Sequence, residues 1–127
     1  MKVFSSPKEN GFPPHPVVTV GNFDGVHLGH RSIFSTMRRI AAAKGSQTLV
    51  MSFRDHPRAV LYPERRFPFI TTPEERLAAI ESCGIDAVLL VDVTRETAAM
   101  TASDFVESYI VDAIVATGVV IEYDHAF

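Results

Sequence analysis

Residues 17–30 read VVTVGNFDGVHLGH. The stretch opens as VVTV (17–20), a β-branched run of the kind that forms a short buried strand. Gly21 to Val26 follow as a turn-rich loop, with Asp24-Gly25 its strongest turn signal. From Leu28 the apolar period changes. His30, Ile33, Phe34, Met37, Ile40 and Ala41 recur at the i, i+3, i+4, i+7 spacing of one helical face, and Arg31, Arg38, Arg39 and Lys44 fall mostly off it. Gly45 suits a helix C-cap, with Lys44 placed to complement the negative end of the helix dipole. Strand, polar loop and helix thus follow within thirty residues, and the rest of the chain repeats the theme.

Before this unit, residues 1–16 read as an irregular leader, rich in proline and polar residues from Ser5 onward. After it, QTLVMSF (47–53) predicts a second strand. Residues 54–72 form a long connection rich in proline and arginine, a length usually reserved for functional loops. The next helix is well punctuated. Thr72 serves as N-cap, Pro73 takes the first helical position, and Glu75 completes a capping box. Leu77, Ala78, Ile80 and Cys83 supply its apolar side, and Gly84 ends it. DAVLLV (86–91) predicts a third strand. Thr101 and Asp104 make another capping pair ahead of a helix whose face is Phe105, Val106, Tyr109, Ile110, Ala113 and Ile114. Gly118 ends that helix, and VVIEY (119–123) is the fourth strand. Strands alternating with helices predict an α/β fold, a parallel sheet covered on both faces with right-handed crossovers. The chain stops directly after a buried-type strand, so the expectation is a domain over 17–127 that is incomplete at its C-terminus.

Composition bounds the function. Of the 127 residues, 46% are hydrophobic and 21% charged, the make-up of a globular domain. The net charge is −3 and no basic stripe occurs, which argues against a nucleic-acid-binding surface. Cys83 is the only cysteine, so no internal disulfide framework exists. The N-terminal segment lacks the apolar core of a signal peptide, and no apolar stretch reaches membrane-spanning length. A soluble cytoplasmic protein that engages neither membrane nor nucleic acid is expected.

In an open parallel sheet, ligands bind beyond the carboxyl ends of the strands, where the loop 21–30 emerges. The loop is neither GxxxxGK[ST] nor GxGxxG. Its polar groups are His27 and His30, at the N-terminus of a helix. That end presents unpaired N–H groups and a partial positive charge, which attract phosphate. Imidazoles seated there add donors aimed at the same anion. Gly29, between them, lets a phosphate or base approach the backbone. Two other readings stay open: structural histidines, or half a zinc site completed by His56 or Cys83.

VGNFDGVHLGH resembles the GxFDxxHxGH signature of the nucleotidylyltransferase superfamily. More narrowly, it resembles the N-terminal adenylyltransferase module of the bacterial FAD synthetase family, the bifunctional riboflavin kinases/FMN adenylyltransferases. MSFRDHPRAVL, FITTPEERLAAIESCGID, MTASDFVESYIVD and VVIEYDHAF match segments of that family in order. The resemblance implies a Rossmann-like nucleotidylyltransferase fold and a reaction in which FMN and ATP give FAD and pyrophosphate, with Mg2+. It implies that His27 and His30 are catalytic and hold the ATP phosphates, and that Gly21, Asn22, Phe23 and Gly29 lie against the nucleotide. It places Asp124 near the metal, with His56 and Pro57 near the flavin. Phe67 and Phe69 read either as cover for the flavin ring or as satellite core residues, and Asp24 as a local turn residue. Glu122 and Ala126 depart from the family pattern, which has glycine and often arginine there. The family's later phosphate-clamping motif and its riboflavin kinase domain are not in the sequence. Alternatives are a nucleotidylyltransferase with another phosphate acceptor, and a non-catalytic nucleotide- or flavin-binding fragment.

Overall fold

A computed structural model describes residues 1–23, 28–54, 71–92, 104, 108, 110 and 114–120. Five strands and two helices are defined there, in the order β1 (Lys2–Phe4), β2 (Val17–Val20), α1 (Leu28–Lys44), β3 (Thr48–Phe53), α2 (Pro73–Ser82), β4 (Ala87–Val91) and β5 (Gly118–Val119). The strands form one sheet in the order β1-β4-β3-β2-β5, and every adjacent pair is parallel.

The three central strands are buried almost throughout, which is why their sequences are continuous apolar runs rather than alternations. Odd and even positions serve opposite faces. Val17, Val50, Val88 and Leu90 pack with Phe34, Met37 and Ala41 of α1, Ile80 of α2, and Ile85. Val18, Val20, Leu49, Met51, Phe53 and Leu89 pack on the other face with Phe4, Ile110 and Ile114. The asymmetry follows from topology. The path β2-α1-β3-α2-β4 moves along the sheet in one direction, so a constant crossover hand puts both helices on one side. The return to β5, beyond β2, brings Ile110 and Ile114 onto the other.

Helix α1 buries the face its spacing predicts. Phe34, Met37 and Ala41 are buried, Ile33 and Ile40 half-buried, and Arg31, Arg38, Arg39 and Lys44 exposed. Gly45 follows at φ +64°, the left-handed C-cap conformation. At the start of α2, Thr72 Oγ1 accepts from the Glu75 amide at 3.1 Å, and Glu75 accepts from the Thr72 amide at 3.1 Å.

Three expectations need correction. The segment 1–16 is not irregular throughout: Lys2–Phe4 pairs in parallel with Ala87–Leu89 and forms the sheet's edge. Phe4 anchors it, buried in the core with its ring edge-on to Phe12 at 5.3 Å. The inner face of α2 carries Arg76 and Ile80, while Ala78 is exposed. Residues 76 and 80 are four apart and share a face, whereas 78 projects away from it. Gly118, expected to end a helix, opens β5 (Gly118–Val119), and residues 121–123 of the strand expected over 119–123 lie outside the described residues.

Candidate nucleotide site

Strand β2 is flanked by β3 on one side and β5 on the other. Chain progression reverses there, so the crevice beyond the carboxyl end of β2 is the topological switch point, the standard ligand position in such sheets. Gly21, Asn22 and Phe23 leave β2 into that crevice, and α1 starts at Leu28 on its far side. The first turn of α1 carries Gly29, which is exposed, and His30, which is half-buried.

The exit from β2 is stapled to β3. The Gly21 amide donates to the Met51 carbonyl at 3.1 Å. The Asn22 carbonyl accepts from Ser52 Oγ at 3.2 Å and from Arg76 Nη1 at 3.4 Å. That oxygen is committed inside the protein. Asn22 Oδ1 is buried without a hydrogen-bond partner among the described residues.

Phe23 sits at φ +51°, a region that suits glycine and strains a bulky side chain. Its ring is buried between two residues of α1. It meets the His30 imidazole edge-on, with centroids 5.0 Å apart and planes at 75°, and lies 5.2 Å from the Phe34 ring. Phe34 is fully buried, so the Phe23 ring is backed by the core and in turn backs His30. The left-handed backbone is what lets the side chain turn inward while the chain leaves the strand.

Of the residues singled out from sequence, Gly21, Asn22, Phe23, Gly29 and His30 are brought together at this edge. His27, His56, Pro57 and Asp124 lie outside the described residues, as do Asp24, Phe67, Phe69, Glu122 and Ala126. Cys83, a possible zinc ligand, is half-buried at the end of α2, and its sulfur accepts from Arg31 Nη1 at 3.7 Å. Among the described residues no three His, Cys, Asp or Glu side chains converge as a metal cluster. Sequence reasoning missed Arg76 and Ser52. Arg76 sits one residue beyond the capping box and Ser52 lies within the second predicted strand, but neither type advertises burial.

The sequence profile of the FAD synthetase family matches residues 10–127. The chain belongs to the FAD synthetase family. Bifunctional riboflavin kinase/FMN adenylyltransferases are similar to it over most of its length. The protein from Listeria monocytogenes is 33% identical over 87% of this chain and 35% of its own length. Those from Bacillus subtilis and Escherichia coli K12 are each 34% identical over 75% of this chain and 30% of their own. The chain thus spans about a third of the length of these relatives. Among solved structures, one described as a macrolide-efflux protein from Streptococcus pneumoniae superimposes with a TM-score of 0.82 at 30% identity, covering 98% of this chain and 48% of that one. This FAD synthetase family member therefore shares its α/β fold with a solved structure over nearly its whole length.

Proposed function

We propose that the chain is an FMN adenylyltransferase module, which transfers AMP from ATP to FMN and yields FAD and pyrophosphate. The observation that carries the reading is the seat of His30. It stands in the first turn of α1, at the switch point of a parallel sheet, its ring held by a strained, buried phenylalanine. Backbone strain at a ligand edge marks preorganisation, and the family match supplies the chemistry.

An oxygen of the FMN phosphate attacks the α-phosphorus of ATP, and the bond to pyrophosphate breaks. The attacking group is already an anion, so no protein nucleophile is required. Catalysis consists of alignment and of stabilising charge on the phosphates in flight. His30, with His27, donates hydrogen bonds to the phosphate chain. The amides at the start of α1 and the helix dipole act in the same sense. Gly29 leaves the helix end open to close approach, and Gly21, Asn22 and Phe23 border the nucleotide through their backbone.

Mg2+ would be held by Asp124, with most of its remaining ligands coming from phosphates and water, the usual pattern for this hard cation. Asn22 Oδ1, a buried oxygen without a donor among the described residues, is of the kind such an ion or its water shell takes. The ion supplies charge neutralisation for the leaving pyrophosphate. His56 and Pro57 are assigned to the flavin side. ATP and FMN are the proposed partners, the cytoplasm the proposed compartment, and riboflavin kinase activity is proposed for a separate domain of the intact protein.

Exchange of labelled pyrophosphate into ATP in the presence of FAD tests the reading. The intact protein should catalyse it, and His30→Ala should lower it by about 100-fold or more while the thermal melt is retained. Undiminished exchange in His30→Ala would refute the role given to His30.

A further inference from the structure

Among the described residues, Arg76 is the only charged side chain that is buried, at 4% exposure. Its place is costly on two counts. Burial removes the guanidinium from water. A cation in the first turns of a helix also faces the positive end of the helix dipole. Helix α2 does not need it there, because Thr72, Pro73 and Glu75 already form a complete N-terminal cap.

Its partners account for the position. Arg76 Nη1 donates to the Phe53 carbonyl at 3.3 Å and to the Asn22 carbonyl at 3.4 Å. Phe53 is the last residue of β3, and Asn22 follows the end of β2. One guanidinium therefore ties together the carboxyl ends of two neighbouring parallel strands, at the ligand edge. Ser52 Oγ donates to the same Asn22 oxygen at 3.2 Å, so both lone pairs of that carbonyl are engaged. The plane of the Asn22–Phe23 peptide is fixed as a result. That peptide leads into Phe23 at φ +51°, whose ring abuts His30.

We infer that Arg76 is a positioning residue for nucleotidyl transfer: by clamping the Asn22 carbonyl it holds Phe23 in its left-handed conformation and so sets the His30 imidazole against the phosphate chain. The inference rests on the role proposed above for His30. Lysine at this position keeps the charge and can still donate to these carbonyls, without the planar fork. Methionine keeps much of the stem's bulk and donates to neither.

The test measures FAD formation by the intact protein. Arg76→Met should lower kcat by about 10- to 100-fold, with KM for ATP changed by less than about threefold. Arg76→Lys should recover most of the loss. In the His30→Ala background, Arg76→Met should subtract less than about twofold from the residual rate, because the two residues act as one unit. The His30 ring resonances, which sense the Phe23 ring current, should shift in Arg76→Met and return in Arg76→Lys. Losses that multiply in the double variant, or a rise in KM with kcat unchanged, would overturn the inference. If Arg76→Met does not fold, Ser52→Ala removes the other donor to the same oxygen. It should lower kcat by about threefold and shift the His30 resonances, and unmoved resonances would overturn the inference. Full activity in His30→Ala would sink the role proposed for His30, and no FAD formation by the unaltered protein would sink the functional reading itself. An impaired His30→Ala beside an unimpaired Arg76→Met would sink the positioning role alone.

Discussion

At the scale of single residues, the candidate site contains a phenylalanine in a conformation that phenylalanine avoids. The buried Phe23 ring bridges His30 and Phe34, so its shape is coupled both to the core and to the proposed phosphate contact. Phe23→Leu keeps an apolar side chain but removes the flat edge against which the imidazole rests. The expected stability loss is about 1 kcal/mol, measured by denaturant unfolding, whereas FAD formation should fall by about tenfold. Equal retention of both would disconnect the ring from the chemistry. His30 could be singled out as a candidate from the chain because a histidine at a helix mouth, behind a glycine-rich turn, is informative by type and place. Arg76 could not. An arginine next to two glutamates reads as solvated surface, and only the fold shows that its direction along α2 carries it under the β2 and β3 ends.

At the scale of elements, punctuation was the clearest signal. The Thr72–Glu75 capping box and the glycines after both helices are written in the chain and occur as expected. They are local, so they need no knowledge of the partner surface. Gly84 sits at φ +80°, and a Cβ there would also meet the Arg38 guanidinium at 3.0 Å. The guanidinium end can swing aside, but the backbone cannot relax without unwinding the turn into β4. Gly84→Ala should therefore cost about 1–2 kcal/mol, seen as a lower unfolding midpoint with an unchanged denaturant slope. What the local signals did not reveal was β1. Lys2–Phe4 is too short to show a period, and its first two residues are exposed. It becomes a strand because β4 offers a free edge and the core offers a place for Phe4.

At the scale of the molecule, continuous apolar strands between helical segments were enough to give the parallel sheet. The position of β5 beyond β2 was not legible, because strand order is set by crossovers rather than by any one strand's composition. Phe4 ties the outer edge of this sheet to its core, with the ring at 5% exposure. Phe4→Ala should cost about 3 kcal/mol and lower the melting temperature, while kcat for FAD formation below the melt should stay within about twofold. A large kcat change would show that the far edge communicates with the switch point.

Because every adjacent strand pair runs the same way, the molecule has a polarity like that of a bundle of arrows. At the feathered end, Asp86 Oδ2 takes the Thr48 amide at 2.8 Å and Thr48 Oγ1 takes the Asp86 amide at 2.9 Å, a reciprocal lock that binds the first residue of β3 to the residue just before β4. At the pointed end sit Gly21, Asn22, Phe23 and His30. Sturdiness and the proposed turnover thus occupy opposite poles of one sheet, and selection can reshape the second without dismantling the first.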